Sequence, residues 1–102
     1  MSENKRASTR YDRRLEIEYD LGPGWVSSFT KNMSLGGVSI DSGDKVAMGA
    51  RLKVRFHIPT QKEAIEVGGT VRWMDSSSFG VQFDGLRARE VWALGKYFEQ
   101  PA

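Results

Sequence analysis

The sequence predicts an all-β fold, a small antiparallel barrel or sandwich with one C-terminal helix packed against it. Three observations carry that expectation. Apolar and polar residues alternate with a period of two in short stretches between Leu15 and Phe83. Clusters of Gly, Pro, Asn, Asp and Ser interrupt those stretches at regular intervals. Beyond Asp84 the apolar spacing changes to that of a helix. The 102 residues are the size of one domain, with no internal repeat.

Residues 1–13 lack apolar periodicity; residues 1–9 are expected to form a flexible basic arm and residues 10–99 the folded domain. In the first strand Leu15, Ile17 and Tyr19 point one way and Glu16, Glu18 and Asp20 the other. Leu21-Gly22-Pro23-Gly24 turns the chain, and Trp25 to Lys31 returns as the other half of a hairpin. Asn32 to Gly37 breaks the alternation and reads as a tight turn or bulge, because Asn and Ser side chains bond local backbone and Gly tolerates positive φ. Val38-Ser39-Ile40 is a short strand, and Asp41 to Gly49 a loop.

Leu52, Val54, Phe56 and Ile58 alternate up to Pro59. Glu63 to Met74 is a long strand with Ile65, Val67, Val71 and Trp73 on its apolar face, and Gly68-Gly69 suggests a bulge or barrel corner within it. Ser76-Ser77-Ser78 turns into the last strand, Phe79 to Phe83. A helix is predicted over about 86–99, with Asp84 as a candidate N-cap and Val91, Leu94 and Phe98 facing the barrel. Trp25, Trp73 and Trp92 are expected in the core or under the helix, with a stacking platform as the alternative for one of them.

Composition narrows the chemistry. Without cysteine there is no disulfide framework and no thiolate metal site, and with His57 as the single histidine a zinc site would need carboxylates to complete it, so no metal is expected. The N-terminus has no apolar h-region, and no apolar run approaches the roughly 18 residues that span a bilayer. The expectation is a cytoplasmic protein with no membrane insertion, and the sequon Asn32-Met33-Ser34 is set aside on the same ground. No Ser or Cys is placed with a base and a carboxylate, so no catalytic residues and no enzymatic activity are expected.

Charge is unevenly spread. Residues 1–14 carry five basic residues (Lys5, Arg6, Arg10, Arg13, Arg14) against two acidic ones (Glu3, Asp12), whereas the remaining 88 carry ten against eleven. A basic arm on a near-neutral body either meets something anionic or serves as a solvated tail.

Two short motifs could carry binding. Arg10-x-x-x-Arg14 precedes the first strand, and an arginine fork matches phosphate oxygens and the O6/N7 edge of guanine while its plane stacks on aromatic faces. Asn32-x-Ser34-x-x-Gly37 offers an amide, a hydroxyl and a backbone open to close approach, and is otherwise an ordinary Asx-turn. The arginines precede strand one and the turn comes after strand two. A hairpin would therefore bring both to one rim of the sheet.

Arg-x-x-x-Arg, a strand pair and then Asn-x-Ser-x-x-Gly resembles the PilZ domain family, bacterial receptors for cyclic di-GMP. The likeness runs from about Arg10 to Phe98 and takes in Gly69-Thr70-Val71-Arg72-Trp73 and Phe79-Gly80-Val81-Gln82-Phe83. It implies a six-stranded antiparallel β-barrel with one C-terminal α-helix. It also implies a ligand, cyclic di-GMP, with Arg10 and Arg14 holding guanines and phosphates, Asn32 and Ser34 reading guanine, and Gly36 and Gly37 shaping the turn. Arg13 is an extra arginine able to substitute for, or supplement, Arg14. Asn32 stands where many members carry Asp, and an amide offers one acceptor oxygen where a carboxylate offers two.

The resemblance further implies an adaptor whose arm changes conformation on binding and signals to an unidentified protein effector, in processes such as motility or exopolysaccharide control. A ligand-independent interaction module is the alternative. A small barrel for single-stranded nucleic acid is a third reading, disfavoured by the near-neutral body.

Overall fold

Six strands close on themselves in the computed structural model, which describes residues 9–101. They are β1 (Glu16–Asp20), β2 (Trp25–Met33), β3 (Gly37–Asp41), β4 (Arg51–Phe56), β5 (Ile65–Met74) and β6 (Ser78–Phe83), followed by one helix, α1 (Ala88–Glu99). Every pairing is antiparallel, and the order around the barrel is β1-β2-β3-β6-β5-β4, with β4 returning to β1. The predicted barrel with a C-terminal helix is the fold observed. The arm expected over residues 1–9 lies outside the described residues apart from Thr9.

Alternation puts Ile17, Tyr19, Val38, Ile40, Leu52, Val54, Phe56, Ile65, Val67, Phe79, Val81 and Phe83 inside. Closure leaves no open sheet edge to template pairing with another chain. Tyr19 crosses the core to a polar end: its hydroxyl donates to Asp44 Oδ2 (2.5 Å) and pairs with Ser42 Oγ (2.8 Å), pinning the 42–50 loop. Burial first, then the bond to Asp44, pushes the Tyr19 phenol above its ordinary pKa.

Two strands carry an extra residue. Register shifts between Thr30 and Asn32 on β2 and between Val71 and Trp73 on β5, leaving Lys31 and Arg72 as the bulged residues, both exposed. A bulge reverses the inside–outside sense of the residues beyond it. Asn32 is therefore turned to the outer face beside Ser39, and Trp73 to the outer face beside Gly80.

Several local expectations are corrected. The β5 bulge falls at Arg72, not at Gly68-Gly69. Those glycines serve close approach instead: a Cβ on Gly69 would lie 2.8 Å from Gln82 O, and one on Gly68 2.7 Å from Asp84 Oδ2. The bulge also takes Trp73 out of the core, where it is 38% exposed. Trp25 sits on the outer wall with the Arg55 guanidinium 3.9 Å from its ring, and Trp92 is 63% exposed on the outer side of α1.

The helix begins at Ala88, later than about 86, because Asp84 does not cap it. Asp84 accepts both forks of Arg51 (2.9 and 2.6 Å), and the Arg87 amide donates to Glu90 Oε1 (3.0 Å) to close the helix start. Buried positions Glu90, Ala93, Leu94, Tyr97 and Phe98 set the helix phase, which leaves Val91 exposed rather than facing the barrel.

The β5–β6 turn is held by one carboxylate. Asp75 Oδ1 accepts from the amides of Ser77 and Ser78 (2.9 Å each), and the Ser77 amide leads the contacts that hold Asp75 below the usual carboxylate range. A depressed folded pKa contributes stability above the unfolded pKa that is lost as pH falls through the folded value. Asp75→Asn is expected to lose less stability than the wild type on acidification from about pH 5 downward, read by urea denaturation at each pH. Identical acid profiles would contradict this.

Candidate functional site

The segment before β1 lies alongside the second half of β2. Tyr11 and Met33 exchange both backbone hydrogen bonds (2.8 and 2.9 Å). Lower down, the Thr30 amide donates to Leu15 O (2.8 Å), and Thr30 Oγ1 accepts from the Leu15 amide (2.9 Å) while donating to Arg13 O (2.5 Å). A buried hydroxyl thus ties the segment to the barrel with both its donor and its acceptor used. This pairing puts Arg10 at the level of the turn after β2, so the sequence-predicted convergence of arm and turn at one rim is present.

The four arm residues then divide. Tyr11 stacks on Phe98 of α1 at 4.2 Å between centroids. Arg13 donates to Phe98 O (3.3 Å) and Gln100 O (2.7 Å), with its guanidinium 5.3 Å from the Tyr97 ring. A cation on the last carbonyls of a helix is where the helix dipole favours it. Arg14 reaches instead across β2, its Cζ 4.7 Å from the Phe29 ring and its Nη1 3.3 Å from Asp41 Oδ2. Arg10 is exposed and makes no hydrogen bond or ion pair with the described residues.

The turn residues divide as well. Ser34 is buried, and its Oγ accepts from the amides of Gly36 (3.2 Å) and Gly37 (3.1 Å), so its hydroxyl is spent inside the turn. Gly36 is exposed, and its carbonyl accepts from the Phe83 amide (2.8 Å). Gly37 lies so close to β6 that a Cβ would run into the Val81 carbonyl oxygen. Asn32 is different. It faces the outer wall, and its Oδ1 is buried with no hydrogen-bond partner among the described residues.

Asn32 begins a row that crosses four strands: Asn32 pairs with Ser39, Ser39 with Gly80, and Gly80 with Trp73. The absent side chain at Gly80 leaves room for the Trp73 indole, whose Nε1 lies where a Cβ would be. Beside this row stand Phe29, Asp41 and the Arg14 guanidinium. The result is an outer wall with an aromatic plane at one end, an unpartnered amide oxygen at the other, and arginines along its arm side. It can hold a flat, hydrogen-bonding anionic ligand.

Sequence reasoning missed Trp73, Phe29 and Asp41 as wall residues. Alternation assigns Trp73 to the core, and only the bulge reverses that. Phe29 and Asp41 belong to no motif, although they lie one and two strands from Arg14. Among the described residues, no group of three or more His, Cys, Asp or Glu side chains is placed to hold a metal ion. No helix of the described chain is long and apolar enough to cross a membrane.

Barrel, helix, arm and wall together define a small β-barrel domain with a polar, aromatic-edged wall on its outside. The PilZ domain family model matches residues 4–100, and the chain belongs to that family. Bacillus subtilis MotI/DgrA, an inhibitor of motility, is 20% identical with a TM-score of 0.77, over 88% of this chain and 47% of its own. The PilZ domain of CeSA from a cellulose-synthesizing bacterium is 12% identical with a TM-score of 0.69, over 89% and 95%. Borreliella burgdorferi PlzA, solved in complex with c-di-GMP, is 14% identical with a TM-score of 0.65, over 95% and 44%. Identities this low show shared fold alone, and the chain spans about half the length of MotI/DgrA and PlzA. No curated protein sequence matches the chain.

Three substitutions separate structural from free residues. Gly37→Ala is expected to cost about 1–3 kcal/mol in urea denaturation, the scale of overpacking against rigid backbone; an unchanged midpoint would contradict the close β3–β6 approach. Arg13→Ala should cost about 1–3 kcal/mol through its carbonyl bonds, while Arg10→Ala stays within about 0.5 kcal/mol of wild type. Equal effects would contradict the division of the arm.

Proposed function

We propose that this chain is a cyclic di-GMP receptor that binds its ligand on the outer wall between Arg10, Arg14, Asn32 and Trp73, catalyses nothing, and signals through its arm to a protein effector. The observation that carries the reading is the Tyr11–Met33 bridge. It draws the arm segment, with Arg10 and Arg14 on either side of Asp12, alongside the stretch of β2 that carries Asn32, whose buried amide oxygen lacks a partner among the described residues. A guanine edge supplies donors to that oxygen, and an arginine fork takes phosphate or the O6/N7 edge. The exposed bulge residues Lys31 and Arg72 add positive charge around the row. The c-di-GMP complex of PlzA, which shares the fold, supports the choice of ligand.

Residues fall into two roles in this reading. Arg10, Arg14 and Asn32 touch ligand. Ser34, Gly36 and Gly37 shape the turn, and Arg13 secures the arm to α1. Ordering Arg10 on a ligand that also engages Arg14 would load the Tyr11 and Arg13 contacts to the helix, a physical route from ligand to effector surface. The second reading, a ligand-independent interaction module, has one observation in its favour: the motif residues Ser34 and Gly37 are already committed to the fold.

Calorimetry with cyclic di-GMP separates the two. Arg10→Ala is expected to weaken binding by about 1–3 kcal/mol, the scale of a bidentate arginine–guanine contact. Asn32→Asp should tighten binding, because a carboxylate accepts two bonds from the guanine N1–H and N2–H₂ edge. No heat with wild type or Asn32→Asp would favour the interaction module.

A further inference from the structure

We infer that Phe29 and Asp41 are positioning residues that hold Arg14 as a preformed stacking shelf for a purine base. Three elements meet at this point. Phe29 on β2 and Asp41 on β3 are direct register partners. The Arg14 guanidinium lies 4.7 Å from the Phe29 ring centroid, and its Nη1 is tethered to Asp41 Oδ2 at 3.3 Å. The Ser28 hydroxyl donates to the Asp41 backbone oxygen and fixes β2 to β3 at the same level.

The fold does not need this cluster. Phe29 is 43% exposed, and the side chains of Arg14 and Asp41 are 61% and 42% exposed. A single exposed ion pair adds little to stability, and an exposed phenyl ring on a barrel wall buries little apolar area. The effect of the cluster is to restrict Arg14. The guanidinium sits over the Phe29 ring with its side chain still 61% exposed, and Asp41 engages one nitrogen while leaving the rest of the fork available. A guanidinium held in place presents a plane for a base and donors for a phosphate or a guanine edge. Because the side chain is already placed, binding loses less rotamer freedom than it would with a free arginine.

The inference rests on the cyclic di-GMP reading and deepens it, so the test has one arm that uses the ligand and one that does not. By calorimetry, Phe29→Ala and Asp41→Ala should each weaken cyclic di-GMP binding by about three- to tenfold, the range for immobilising one long side chain. In an Arg14→Ala background the same substitutions should change affinity by less than about twofold, since residues acting through one partner are non-additive. Full effects in that background, or tighter binding by Asp41→Ala, would overturn the inference; the second would make Asp41 a competitor of the ligand. Thermal melts of each variant confirm that the barrel is retained.

The other arm tracks the Arg14 Nε–H resonance by NMR in the ligand-free protein. It should be ordered in the wild type and mobile in Phe29→Ala. A mobile Arg14 in the wild type would overturn the shelf whether or not cyclic di-GMP binds, whereas an ordered Arg14 with no ligand binding would count against the receptor reading instead.

Discussion

Two bulges in the ladder govern what this barrel can do. A strand wrapped around a closed core has one choice of face per residue, and alternation would send both Asn32 and Trp73 inward. An extra residue at Lys31 and another at Arg72 reverse that choice locally. The two reversals act on the same row of the barrel, at its two ends, with Ser39 and Gly80 between them. An amide and an indole that would be awkward inside an apolar core thus become the boundaries of an outer wall. Met33 is returned to the core by the same shift, so the packing inside is kept while the surface outside is rewritten.

The arm depends on that arrangement. Its bond partners on β2 are Thr30 and Met33, which flank Lys31 and Asn32. Both face inward, so their backbone and the Thr30 hydroxyl are free of the outer wall and available to the arm. Tyr11 and Arg13 then dock on the C-terminal end of α1, which leaves Arg10 and Arg14 unclaimed by the helix. The outer wall and the helix are thereby joined by five residues of chain, Arg10 to Arg14. Any ligand that engages those two arginines acts on a segment whose other side chains already grip the helix.

Much of this was legible in the sequence. Period-two alternation located the strands because inward and outward positions differ sharply in polarity in a one-layer barrel, as Leu52, Val54 and Phe56 show. The convergence of Arg10 and Asn32 came from hairpin geometry alone. The β2 bulge was partly legible as the break in alternation at Asn32, but the β5 bulge was not, because an extra residue leaves no mark on composition; it shows only as Trp73 exposed where alternation demands burial. The glycines misled for a related reason. Gly68 and Gly69 make room for Asp84 and β6, a long-range contact that local reading takes for a kink. Asp84 misled because a carboxylate before a helix resembles a cap, and its partner Arg51 lies 33 residues away. Motif membership by itself does not show that the Ser34 hydroxyl accepts from the Gly36 and Gly37 amides within the turn.

The central claim is that the bulge-built row from Asn32 to Trp73 is the ligand face. An NMR titration of ligand-free protein with cyclic di-GMP, monitoring the tryptophan indole N–H and asparagine side-chain amide signals, tests it most directly. The account predicts that the Trp73 indole and the Asn32 amide shift together and saturate at one concentration, while the Trp92 indole on the outer side of α1 stays in place. Saturating shifts confined to other parts of the surface, with Trp73 and Asn32 unmoved, would contradict it.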